Sequence, residues 1–233
     1  ITQTEGSTPR KAASKMLVFP DGSISGTVGG GSIEKQCIED ALGIMGSEQP
    51  LHKSYNLAND LEMHCGGRMH IYLEPLMPAP QLIVFGAGHV GKALAKMASM
   101  SGFRILAVDN REGIFGSWKG LPAETLCAPF EEALEKIDFH KNAYIVSCTY
   151  KHAFDTEVIA MCLPKDYKYI GMIGSKRKTA IAAKAFEEEY KFSTDQIAKI
   201  DMPIGVPINC ETPEDIAVSI LAKLIDVKNT ENK

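Results

Sequence analysis

The stretch Leu82-Ile83-Val84-Phe85-Gly86-Ala87-Gly88-His89-Val90-Gly91, with its continuation to Val108-Asp109-Asn110-Arg111, decides the fold. Its opening apolar run, short and rich in branched and aromatic residues, predicts a buried strand. A full G-x-G-x-x-G follows at once. Val90, Leu94, Met97 and Ala98 then fall on one helical face, with Lys92, Lys96 and Ser99 pointing away. A second apolar run, Ile105 to Val108, ends on Asp109. Strand, glycine turn, helix, strand and acid in this order form the dinucleotide fingerprint. Gly86 suits the tight turn, Gly88 the approach of backbone to a pyrophosphate, and Gly91 the close packing of helix on strand. The helix N-terminus offers free N–H groups to phosphates, and Asp109 is placed to accept hydrogen bonds from ribose hydroxyls. A carboxylate there repels a 2′-phosphate, which predicts an NAD-like ligand, although Arg111 nearby would suit the phosphate of NADP.

Outward from this unit, 233 residues allow one large or two modest domains. A net charge of −4 gives no basis for a nucleic-acid or membrane surface. No apolar run approaches the roughly twenty residues of a membrane span, and no signal peptide is visible. The cysteines Cys37, Cys65, Cys127, Cys148, Cys162 and Cys210 contain no C-x-x-C pair. They read as reduced thiols of a cytoplasmic protein. The first residue is Ile1, so the chain is expected to begin inside a strand.

Residues 1–75 read as a smaller α+β domain. Gly6-Ser7-Thr8-Pro9-Arg10 is turn chemistry, and Pro20-Asp21-Gly22-Ser23 between Met16–Phe19 and Ile24–Val28 predicts a hairpin. Gly29-Gly30-Gly31 precedes a helix striped by Ile33, Cys37, Ala41, Ile44 and Met45, with Ser32 as its expected N-cap and Glu34 in its first turn. Such a glycine run suits either an anion site or a flexible hairpin exit. Met69, Ile71 and Leu73 alternate with His70, Tyr72 and Glu74, the pattern of a half-buried strand. His64, Cys65 and His70 fit no zinc spacing, so no metal site is expected. Residues 76–80 are a proline-rich linker, and residues 81–233 a Rossmann-like, doubly wound parallel sheet.

Within that second domain, strands are expected at Thr125–Cys127, Ala143–Ser147 and Tyr167–Ile173, and helices at Glu131–Ile137, Ala153–Cys162 and after Thr212. Strand ends line the ligand crevice of doubly wound sheets, which makes Ser147 to Tyr150, Thr149 included, site candidates. Gly174-Ser175-Lys176-Arg177-Lys178 opens a further helix. Cations sit badly at a helix N-terminus unless an anion is present, so this turn reads as a phosphate site. Met202 to Ile208 is an apolar loop without an assigned purpose.

Several of these stretches together resemble the xanthine dehydrogenase accessory factors of the XdhC/CoxI type. They are Gly6 to Arg10, Gly26 to Glu34, Cys65-Gly66-Gly67-Arg68, Gly86 to Gly91, Val108 to Arg111, Gly171 to Lys178, Pro203-Ile204-Gly205, and Thr212 to Leu221. The resemblance implies a non-catalytic factor that binds the molybdenum cofactor as molybdopterin or a dinucleotide form of it. Such a factor presents the cofactor to a cysteine desulfurase and helps insert it into a client molybdenum hydroxylase. It also implies a small first domain before a Rossmann domain, and a homodimer is expected. Cofactor-binding positions are then Gly86, Ala87, Gly88, His89, Val90, Gly91, Asp109, Asn110, Arg111, Thr149, Gly174, Ser175, Lys176 and Arg177. Gly29, Gly30, Gly31, Glu34, Cys65, Gly66 and Gly67 are expected to close over the cofactor between the domains. An NAD(P)-dependent oxidoreductase and a nucleotide-sensing regulatory module are the alternatives, with Tyr150 and His152 as nominal proton-transfer candidates.

Overall fold

The computed structural model describes residues 1–47, 49–58, 66–76 and 78–230, and the chain divides into two units, Ile1–Pro78 and Ala79–Lys233. Cys65 and His64 lie outside the described residues. The first unit contains β1 (Gln3–Glu5), β2 (Met16–Val18), β3 (Ile24–Gly26), α1 (Gly31–Ile44), β4 (Leu51–Asn56) and β5 (Arg68–Leu73). The turn chemistry acts as expected: β2 and β3 pair antiparallel, Val18 opposite Ile24. Asp21 Oδ1 accepts the backbone N–H of Ser23 at 2.9 Å and its hydroxyl at 2.6 Å, an Asx turn. β5 lies between β1 and β4 in an antiparallel sheet. Its alternation buries Met69, Ile71 and Leu73 against Ile33 and Cys37 of α1, while Tyr72 faces out.

Two local features differ from expectation. β4 carries no apolar run, and its backbone is held by pairing along its length with β5. Tyr55, fully buried on that strand, donates its hydroxyl to Asp40 at 2.6 Å, which meets the need of a buried phenol for a partner. α1 begins at Gly31 with Gly30 as its cap in a positive-φ conformation (φ 72°), so Ser32 stands inside the helix and caps nothing. The chain needs φ > 0 to leave the hairpin there, a conformation open to glycine and costly for serine.

The second unit runs β6 (Gln81–Phe85), α2 (His89–Met100), β7 (Arg104–Asp109), a 3₁₀ turn (Ile114–Trp118), β8 (Ala123–Cys127), α3 (Phe130–Lys136) and β9 (Ala143–Ser147). It continues with α4 (His152–Cys162), β10 (Tyr169–Met172), α5 (Lys176–Glu188), α6 (Thr194–Ile197), β11 (Ile200–Asp201) and α7 (Pro213–Thr230). The strands form one parallel sheet in the order β8-β7-β6-β9-β10-β11. This is the doubly wound Rossmann order, with its direction reversing between β6 and β9. Apolar runs without alternation suit a sheet covered on both faces. Ile83, Phe85 and Ile145 face one core with α3, α4 and α5, while Leu82, Val84 and Val146 face the other with α2 and α7. Burial of each such side chain contributes about 1.5–3 kcal/mol. The helix after Thr212 starts as its sequence dictates: Thr212 Oγ1 accepts the N–H of Asp215 at 3.1 Å.

Candidate functional site

The reversal point of the sheet opens between the β6–α2 turn and the end of β9, and the turn there is held on every side. Gly86 N–H donates to Val108 O at 2.8 Å, Ala87 N–H to Asp109 Oδ2 at 2.7 Å, and the Trp118 indole N–H to Ala87 O at 3.2 Å. The three glycines then divide by purpose. Gly86 sits at φ +112°, and a Cβ on it would lie 2.3 Å from Cys148 O. One on Gly91 would lie 1.9 Å from Gly86 O. Both glycines are required by the fold. Gly88 is not: its φ is −72°, and the nearest atom to a Cβ there is Arg111 Nη2 at 4.0 Å. His89 and Val90 begin α2, whose first turn carries no acid and no side-chain cap, so its N-terminus remains available to an anion.

Asp109 is placed differently from the ribose acceptor expected of it. It is fully buried, and its Oδ1 accepts Arg111 N–H at 3.0 Å and Nε–H at 2.9 Å. Its Oδ2 accepts Arg111 Nη2–H at 2.8 Å and Ala87 N–H at 2.7 Å. Burial pushes this carboxyl up, but the hydrogen bonds from Arg111 and Ala87 outweigh it and hold the group below the ordinary carboxylate range. The acid therefore organises the turn from inside. Arg111 carries the surface of the site, its guanidinium 4.4 Å from the centroid of the Tyr150 ring. Beside it, Asn110 Oδ1 is a buried acceptor with no partner among the described residues.

A cleft of about 830 Å³ lies over the ends of β9, β10 and β11; Tyr150, against which Arg111 packs, lines it, while the glycine turn, Asp109, Asn110 and Arg111 do not. Thr149, Tyr150, Gly174, Ser175 and Lys176 line it, as does Lys178; Arg177 does not. Ser175 caps α5, accepting the N–H of Lys178 at 3.3 Å. Of the apolar loop that had no assigned purpose, Met202 to Ile208, the residues Pro203 to Ile208 also line the cleft. It is fixed by Ser219 of α7, whose hydroxyl donates to Val206 O at 2.7 Å. Asp155 lines the cleft while 2% exposed, and Oδ1 accepts the Ser147 hydroxyl and the Thr149 N–H, each at 2.8 Å. Burial raises its pKa, and these bonds offset only part of the rise.

In the first unit Gly29, Glu34 and Gly67 are engaged by the fold itself. Glu34 Oε2 accepts the N–H of Gly30 at 3.3 Å and the hydroxyl of Thr27, so the N-terminus of α1 already carries its own carboxylate. An added anion at Gly29–Gly31 would meet that charge. A Cβ on Gly29 would lie 2.6 Å from Pro9 Cγ, and one on Gly67 2.3 Å from Ser7 O, so these two glycines serve chain packing; Gly66 faces open space. A mainly apolar groove of about 630 Å³, lined by Met16, Leu17, Phe19, Ala41, Ile44 and Leu76, was not legible from any motif. Trp118 was also missed, since nothing local in its 3₁₀ turn points to Ala87. Among the described residues no three His, Cys, Asp or Glu side chains converge as metal ligands, and no helix is long and apolar enough to cross a membrane.

Comparison with known proteins places this geometry. The XdhC Rossmann domain matches residues 82–224, and the XdhC and CoxI family matches residues 1–56. The chain belongs to the XdhC family. Proteins similar to this XdhC chain include the uncharacterized protein YqeB of Escherichia coli K12, 32% identical over 98% of this chain and 43% of that protein. A probable xanthine dehydrogenase component of Bacillus subtilis is 27% identical over 78% of this chain and 53% of its own length. The chain thus spans about half the length of these curated relatives. A solved structure of a xanthine dehydrogenase from Bacillus halodurans shares the fold, with TM-score 0.58 and 21% identity over 99% of this chain and 90% of that one.

Proposed function

We propose that this XdhC protein is an accessory factor that binds a phosphate-bearing, molybdopterin-type cofactor in its Rossmann unit. It hands that cofactor, sulfurated by a cysteine desulfurase, to a xanthine dehydrogenase-type molybdenum hydroxylase in the cytoplasm, acting as a homodimer. The observation that carries the reading is Gly88. The fold has no need of a glycine there, and its missing Cβ leaves room beside the α2 N-terminus. The residues present fit such a group: Asn110 Oδ1 has no donor among the described residues, Ser175, Lys176 and Lys178 supply polar and cationic partners, and Arg111, packed on Tyr150, adds a further cation. When bound, the cofactor supplies the molybdenum centre of the client; the chain's own part is to bind, orient and release it.

Gly88→Leu tests this directly. Protein made in a host that produces the molybdenum cofactor is expected to carry a pterin that fluoresces after oxidation. The variant should lose at least about tenfold of that content, since a leucine fills that room, while its melting temperature stays within a few degrees of wild type. Equal pterin content in both proteins, or none in wild type, would sink the assignment.

A nicotinamide-dependent oxidoreductase is the second reading, favoured by Asp155, a buried carboxyl of raised pKa lining the cleft. Steady consumption of NADPH or NADH with carbonyl substrates, abolished in Asp155→Asn, would favour it; binding without turnover favours the accessory factor.

A further inference from the structure

We propose that Arg111 decides which ligand the crevice accepts: it selects a phosphate monoester and turns away a free ribose diol. The inference rests on the glycine turn binding a phosphorylated ligand, as proposed above. In doubly wound folds a diol is recognised by the acid ending the second strand. Asp109 occupies that place, and a carboxylate offers about four acceptor positions. All are taken: Ala87 N–H and Arg111 Nη2–H on one oxygen, Arg111 N–H and Nε–H on the other. The side-on fork of Arg111 thus occupies the two oxygens that a pair of ribose hydroxyls would use. With Asp109 fully buried, a diol reaches it only after that ion pair has opened.

What faces the ligand instead is the guanidinium itself. Nη1 takes part in no hydrogen bond among the described residues, and Nη2 sits 4.0 Å from where a Cβ of Gly88 would be. A group entering over Gly88 comes within reach of Nη2. The Tyr150 ring packs against the guanidinium at 4.4 Å, and Lys151 Nζ lies 5.8 Å from the same ring as a second cation. A planar guanidinium with free donors, packed beside an aromatic ring, matches the oxygens of a phosphate monoester in a way that no hydroxyl pair does. Two sources present that group. One is the 2′-phosphate of an adenine dinucleotide, and the other is the phosphate ester of a pterin side chain.

Calorimetry with two ligand pairs separates them: NADP⁺ against NAD⁺, and 6-hydroxymethylpterin phosphate against unphosphorylated 6-hydroxymethylpterin. In wild type the phosphorylated member of at least one pair should bind about tenfold or more tightly, and that pair names the source. Arg111→Gln should bring the ratio close to one. Should Arg111→Gln fail to fold, Tyr150→Ala, which leaves the Asp109 pairing intact, should still reduce the preference. Binding of both members with equal affinity in both pairs overturns the role of Arg111 and leaves the glycine-turn site standing. Absence of binding for all four overturns the site and the role of Arg111 together.

Discussion

Gly91→Ala is expected to destabilise the Rossmann unit by about 3 kcal/mol or more, because overpacking against backbone cannot be relieved by a rotamer change. The added Cβ would lie 1.9 Å from Gly86 O and 3.1 Å from its carbonyl carbon. Relief requires α2 to move off β6, which opens the core that Leu94, Ala95 and Ala98 share with Leu82 and Val84. Urea denaturation checks the expectation: the midpoint should fall steeply. A midpoint within a few tenths of molar of wild type would mean that helix and strand separate without cost. Paired with Gly88→Leu, the two substitutions should part along the line that the structure draws. One glycine holds the fold, and the other leaves room for a ligand.

Asp109→Asn is expected to cost about 1–3 kcal/mol, the range for leaving buried hydrogen-bonding groups unsatisfied, because the charge it strands, Arg111, is partly exposed to solvent. The amide keeps one acceptor oxygen, and its NH₂ must face a donor, either Ala87 N–H or the Arg111 fork. Loss of the fork frees Arg111 from its place over Tyr150, so ligand binding should weaken as well. The pH dependence follows from the depressed pKa of Asp109. A carboxyl whose folded pKa lies below its unfolded value, about 3.9, contributes stability that is present above that value. The contribution is lost as pH falls through the folded pKa. Thermal melts between pH 7 and pH 3 should show wild type losing stability below about pH 4, and the variant, weaker at pH 7, losing less. Parallel curves would show that Asp109 titrates alike in both states.

Most of the second unit is written in local sequence. β6, α2 and β7 declare themselves because an apolar run, a glycine turn and a helical stripe are local properties, each contained within a dozen residues. β9 falls where its apolar run lies, Ala143–Ser147, and α7 starts at the Thr212 cap for the same reason. The family was legible too, through motifs spread in order along the chain. Strands without such a signal were not. β4 exists because its backbone groups pair with β5, and β11, two residues long, because Ile200 and Asp201 pair with Ile170 and Gly171. The site followed the same division. That Gly86, Gly88 and Gly91 form a turn is sequence information; which of them the fold could spare depended on atoms from Cys148 and Arg111. Asp109 was the expected acid at the expected place, yet its role was decided by Arg111, two residues on, and by Ala87, twenty-two residues back. Glu34 likewise closes the glycine run that the local pattern leaves open. A residue type fixes what a group can donate or accept, but the folded neighbourhood decides which partner has already used it.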